Sequence, residues 1–124
     1  MIRPVRNQLE HEFNSWKRKL EFFKQENALL KYRLSEMVDF SEGANFLQMA
    51  EYFQNELLLN DERLTQLTKR IHQLSDQFSA YETQKNISEN FIAVKEKFRT
   101  DLLEFEKKFL ALSKEFNQKM LQTK

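Results

Sequence analysis

A chain of 124 residues with a formal charge of +1 is sized for one domain and carries no bulk field that would draw it to nucleic acid or membrane. One glycine and one proline are too few for the turns of an all-β or α/β fold, whereas 31% charged residues with both signs interspersed suits long solvated helices. The absence of cysteine excludes disulfides and thiolate metal sites.

The chain opens on "MIRPVRNQLEHEF", which has no apolar signal core, and no later stretch approaches the roughly 20 apolar residues of a membrane span. A soluble cytoplasmic protein is the expectation. Leu9, Phe13, Trp16, Leu20, Phe23, Asn27, Leu30, Leu34 and Met37 then follow one another by alternating steps of four and three, which predicts a helix over about 5–39 with a narrow packing seam. Charged residues flank the seam throughout, so such a helix depends on a partner helix for its stability. Residues 1–33 hold eight Lys/Arg against four Glu, a surplus of +4. The expected use of that surplus is complementarity with the other helices of one bundle.

"DFSEGANFLQ" holds the only glycine and marks a helix break, with Asn45–Gln48 and Asp39–Glu42 as competing capping boxes for the next start. Phe46, Ala50, Phe53, Leu57, Asn60, Leu64, Leu67, Ile71, Leu74, Phe78 and Tyr81 repeat the alternation and predict a second helix over about 45–84. The phase breaks at "ETQKNISENF", where a turn near Lys85–Asn86 is expected, with an Asn86–Glu89 capping box. The third seam reads Ile87, Phe91, Val94, Phe98, Leu102, Phe105, Phe109, Leu112, Phe116, Met120 on a helix of about 87–122. Leu103 and Leu110 widen its stripe, as if it packed on two neighbours.

Folding the first two helices back at Gly43–Ala44 pairs residues whose numbers sum to about 87: Leu20 with Leu67, Leu30 with Leu57, and Asn27 with Asn60. Apolar layers alone match in several registers. Only this one places both asparagines together, and a one-heptad slip would bury two unpaired amides at about 1–3 kcal/mol each. Asn27 and Asn60 are therefore read as a register pair. The second turn pairs residues summing to 172 or 173, setting Phe78 against Val94 and Asn60 opposite Leu112. The expected architecture is all-α: one domain over 1–124, an up-down-up antiparallel three-helix bundle with coiled-coil-like seams. A rod in which the second and third helices run on as one is the rival arrangement.

Ten of the twelve phenylalanines fall on the seams as core filling, and Trp16 joins them with its indole N–H near the rim. No Glu-x-x-His pattern, phosphate loop or nucleophile constellation occurs. His11 and His72 fall on outward positions, and Asp101 reads as an ion-pair partner rather than a general acid. No catalytic, metal or cofactor site is expected, and the chain is read as not an enzyme. "WKRK" with Lys24, Lys31 and Arg33 is the only basis for nucleic-acid binding, with Glu10, Glu12, Glu21 and Glu26 interspersed. Outward apolar residues Phe22, Leu29, Leu47, Leu58 and Leu59 suggest a face for a protein partner or for a homodimer.

"WKRKLEFFKQENALLKYRLSEM" (16–37) and "EYFQNELLLNDERL" (51–64) resemble a group of small uncharacterised bacterial helical-bundle proteins, over about half the chain. That resemblance implies a helical fold and brings no activity, cofactor or site residue. The expected function is a non-enzymatic interaction or scaffold protein, with a small chaperone or adaptor offering a helical groove as the alternative, and weak nucleic-acid binding through the first helix behind it.

Overall fold

The computed structural model describes residues 3–40, 43–80 and 88–122. They form three helices, α1 (Arg3–Phe40), α2 (Ala44–Ala80) and α3 (Glu89–Gln122). At 1.5 Å per residue each is about 50–57 Å long. The molecule is an all-α three-helix bundle whose inter-helix contacts give an up-down-up order. Lys17 meets Ser75 and Asn27 meets Asn60, so α2 runs back along α1. Arg33 meets Asn117 and Glu12 meets Arg99, so α3 runs parallel to α1. These contacts within one chain exclude the rod.

The reason these segments are helical is the period itself. Every seam residue of α1 from Leu9 to Leu34, and of α2 from Phe46 to Phe78, is buried. Met37 is partly buried against the same core, and Tyr81 lies outside the described residues. Ring contacts tie the layers across helices: Phe13 with Phe78, Phe23 with Phe105 and Phe109, and Phe53 with Phe116, at centroid separations of 5.1–5.6 Å. All ten seam phenylalanines are buried. Trp16 packs against Phe98 at 5.0 Å, with the Arg99 guanidinium over its ring.

The helix starts differ from the capping boxes expected from sequence. At α2 the carbonyl of Gly43 accepts the first helical bond from Leu47 N–H at 3.1 Å, with Gly43 at φ +132°. Asn45 thus lies inside the helix, and Asp39 remains in α1. A backbone turn through the left-handed region needs glycine more than this start needs a side-chain cap. At α3, Ser88 Oγ accepts the N–H of Phe91 and Ser88 O that of Ile92, so Ser88 caps a helix beginning at Glu89 rather than 87. The expected turn at Lys85–Asn86 lies outside the described residues. Glu89 in the first turn and Lys119 in the last complement the helix dipole of α3.

The third seam also departs from expectation. Val94 is exposed, and the seam position between Phe91 and Phe98 belongs to Lys95, whose side chain is 15% exposed. Its aliphatic stem fills the layer while the ammonium reaches Glu96 at 3.5 Å. With Lys95 in place the steps from Phe91 to Phe116 alternate four and three, as in the other helices. Leu103 and Leu110 then fall outside the stripe and are exposed. Phe78 accordingly meets Phe91, and Phe53 meets Phe116, pairs whose numbers sum to 169. The α2/α3 register is therefore displaced by close to one helical turn from the expected 172–173.

Candidate functional site

Two features stand out once the bundle is closed: a buried polar layer and the apolar side chains it leaves outside.

The polar layer lies midway along α1 and α2. Asn27 and Asn60 are the buried polar residues among the described residues, at 0% and 4% exposure. The Asn27 amide donates to Leu57 O at 2.9 Å and to Asp61 Oδ1 at 2.8 Å. Its own Oδ1 accepts from Asn60 Nδ2 at 3.3 Å, and Asn60 Oδ1 accepts from Arg63 at 3.4 Å. Lys31 closes the cluster on Asp61 Oδ2 at 2.5 Å. A heptad position turns both asparagines inward, and the antiparallel register sets them level. The engaged groups leave Asn27 no spare donor to offer a ligand, so its chemistry is structural. Sequence reasoning missed Asp61, whose carboxylate bridges Asn27 and Lys31, because its flanking heptad position carries no signal of that role.

Charged residues beside the seams join helices in pairs. Lys17 donates to Ser75 and Lys31 to Asp61 on the α1/α2 side. Lys19 faces Glu106 at 3.8 Å, and Arg99 joins Glu12 to Glu96, on the α1/α3 side. The basic surplus of α1 thus meets acids of the later helices. Asp101 takes Arg70 at 2.8 Å and Lys97 at 3.0 Å between α2 and α3. Burial pushes the Asp101 pKa up, but the hydrogen bonds and charges of Lys97 and Arg70 outweigh it and hold the carboxyl below its ordinary value. Tyr52 is pushed up by burial and by the carboxylates of Glu115 and Glu56, and Tyr32 by its hydrogen bond to Glu36.

The five outward apolar residues are all exposed, and they divide among three grooves. Leu58 lines a groove of about 330 Å³ between α1 and α2, with Leu34, Val38, Ala50 and Gln54. Leu47, one heptad before Gln54, lies on the same flank. Leu59, one heptad after Tyr52, lies on the α2/α3 side, where Tyr52 borders a second groove with Glu115. Phe22 and Leu29 lie on the α1/α3 side. Phe22 is one turn beyond Lys19, and Leu29 one turn before Arg33, the α1 residues that reach Glu106 and Asn117. Leu103 and Leu110 stand three before and four after Glu106, on the facing rim. Phe22 and Leu29 on one rim and Leu103 and Leu110 on the other therefore border the α1/α3 groove as an apolar strip interrupted by the Lys19–Glu106 pair, and the five residues do not form a single face.

No protein-family model, curated protein or solved structure matches the chain.

Helix spacing makes the α1/α3 groove the natural place for such a strip. α1 and α3 approach each other less closely than either approaches α2, and aromatic rings rather than backbone contact fill the distance between them. Among the described residues no three His, Asp or Glu side chains gather to hold a metal ion, His11 and His72 are exposed on separate helices, and no helix is long and apolar enough to cross a membrane.

Proposed function

We propose that the protein is a non-enzymatic interaction or scaffold protein whose working surface is the α1/α3 strip. One observation carries the reading: four large apolar side chains, Phe22, Leu29, Leu103 and Leu110, stay about half exposed on the two rims of one groove. Scattered surface apolars are ordinary, whereas several gathered along one groove point to an interaction surface. The polar layer supports the same reading by fixing the α1/α2 register that holds one rim of the groove in place. A cytoplasmic setting belongs to the proposal, and the charge-rich composition is compatible with it.

A second reading, an adaptor that grips a client in a helical groove, is favoured by the α1/α2 groove with Val38 and Leu58 on its walls. Nucleic-acid binding loses its main support, because Lys17, Lys19, Lys31 and Arg33 are engaged by other helices of the same chain.

Capture from native lysate tests the proposal, comparing the wild-type chain with Phe22→Glu plus Leu110→Glu and with Val38→Glu plus Leu58→Glu. Proteins retained by the wild type and lost only from the first variant support the strip. Loss only from the second moves the function to the α1/α2 groove, and identical retention by all three overturns both.

A further inference from the structure

We propose that the α2/α3 face pairs with the same face of a second copy of this chain, antiparallel about a twofold axis that crosses the two helices near Leu59 and Ala111. This surface is separate from the α1/α3 strip, and its pairing does not depend on what that strip binds.

The first support is a break in the charge pattern of the α2/α3 groove. Arg70 meets Asp101 at 2.8 Å, so flanking residues of α2 and α3 whose numbers sum to 171 face each other. One heptad further along, the facing residues are Arg63 and Lys108, and one heptad beyond those they are Glu56 and Glu115. All four line one groove of about 240 Å³. Elsewhere the flanks set opposite charges together, as in Lys31–Asp61, Lys19–Glu106 and Arg99–Glu12. Here two cations face each other, then two carboxylates, and none of the four joins an ion pair among the described residues. Arg63 turns instead to Asn60 Oδ1, and Glu115 accepts the Tyr52 hydroxyl. Like charges set level repel, and nothing within the chain neutralises either layer by direct contact.

The second support is the symmetry of that pattern. A second copy turned end over end about an axis midway between the two layers lays its Glu56 over Arg63 and its Glu115 over Lys108, each contact occurring twice. The other face-to-face twofold, parallel to the helices, keeps the layers level and sets cation on cation. The charges therefore select one arrangement, in which every unpaired charge of the two layers meets its opposite. The outward residues fit the same axis. Leu59, 41% exposed, and Ala111 lie beside it and meet their own counterparts, as an isologous interface requires. Tyr52 falls opposite Gln66, and Glu104, which lines the neighbouring stretch of groove, falls opposite Gln118 and Lys119.

The third support is size. About 20 residues of helix span about 30 Å, and two helices side by side about 20 Å, so the face offers on the order of 600 Å² per copy. Stable complexes bury about 800 Å² per partner, which makes this a reversible pairing rather than an obligate one.

Sedimentation equilibrium and light scattering over about 5–500 µM, a range suited to an interface of this size, test the pairing. The wild-type mass is expected to rise with concentration from 15.1 kDa toward twice that value, and to rise less in about 500 mM salt than in about 50 mM. Glu56→Lys plus Glu115→Lys makes both layers basic, and Arg63→Glu plus Lys108→Glu makes both acidic. Each variant alone is expected to self-associate roughly tenfold or more weakly with its helical circular dichroism retained, while an equimolar mixture of the two pairs at least as tightly as the wild type. If either unfolds, the single reversals Lys108→Glu and Glu115→Lys carry the same mixing test. Phe22→Glu plus Leu110→Glu is expected to dimerise like the wild type. A wild-type mass of 15.1 kDa at the top concentration in low salt overturns the proposal. So does a dimer that both reversed variants retain, or reversed variants that stay monomeric when mixed. A dimer lost only through the Phe22 and Leu110 changes belongs to the α1/α3 strip and overturns it as well.

Discussion

Asn27 engages both N–H groups and the carbonyl of its amide within a few ångströms: Leu57 and Asp61 accept, and Asn60 donates. A polar side chain at 0% exposure is tolerated because nothing on it is left unpaired. Replacing one partner alone undoes that balance. Asn27→Leu is expected to destabilise by about 1–3 kcal/mol, because Asn60 and Asp61 lose their donor or acceptor. The double variant Asn27→Leu plus Asn60→Leu is expected to recover most of the loss, a non-additivity that a urea double-mutant cycle reads directly. Additive losses would show that the two amides do not act as a pair. The pairing itself was within reach of the sequence, since one register alone sets both asparagines level. The rest of the network was not: an outward-flank aspartate such as Asp61 has no pattern that marks it as an inward partner.

At the scale of the helices, legibility followed the regularity of the heptads. α1 and α2 repeat their steps without a fault, so their buried faces could be read residue by residue. α3 could not, because hydrophobicity favoured Val94 where the period favoured Lys95, and a lysine with a long aliphatic stem can occupy an apolar layer. That single choice drew Leu103 and Leu110 into the stripe and displaced the α2/α3 register. A stripe that counts Leu103 and Leu110 as core conceals their exposure beside the α1/α3 groove. Helix starts were misplaced for a local reason: asparagine followed three residues on by Glu or Gln is a good cap only where the backbone has room to turn. Gly43→Ala meets no neighbour within 4 Å, so its cost is purely conformational, about 1–2 kcal/mol at a φ of +132°. Ser88→Ala is expected to cost about 1 kcal/mol through the lost bond to Phe91 N–H. Thermal melts of the two variants check both, and a Gly43→Ala protein as stable as the wild type would refute the strained turn.

At the scale of the molecule, closure of the bundle depends on α3 being fastened along two edges, by rings toward α1 and by Arg70–Asp101 toward α2. The second fastening is sensitive to acid. Because the folded-state pKa of Asp101 is depressed, its contribution is fully present above the unfolded value near 3.8 and is lost as pH falls through the folded one. Asp101→Asn is expected to melt below the wild type at pH 6 and to converge with it toward pH 2. Melting curves across that range check the sign, and a constant difference at all pH values would assign the loss to packing instead. Which groove each flanking residue faces is likewise a property of all three helices together. That is why Phe22, Leu29, Leu47, Leu58 and Leu59 read as one face in the sequence and fall on three in the structure.

The position of Trp16 has an optical consequence. The chain has one tryptophan, and its indole lies on the α1/α3 seam, 5.0 Å from the Phe98 ring and beneath Arg99. Its emission therefore comes from a single site and reports on the docking of α3, which rests on α1 through ring contacts and a few flanking polar pairs. Detachment of α3 would wet the indole and shift its emission to the red while α1 and α2 remained helical. The molecule carries a built-in fluorophore at the joint between α1 and α3.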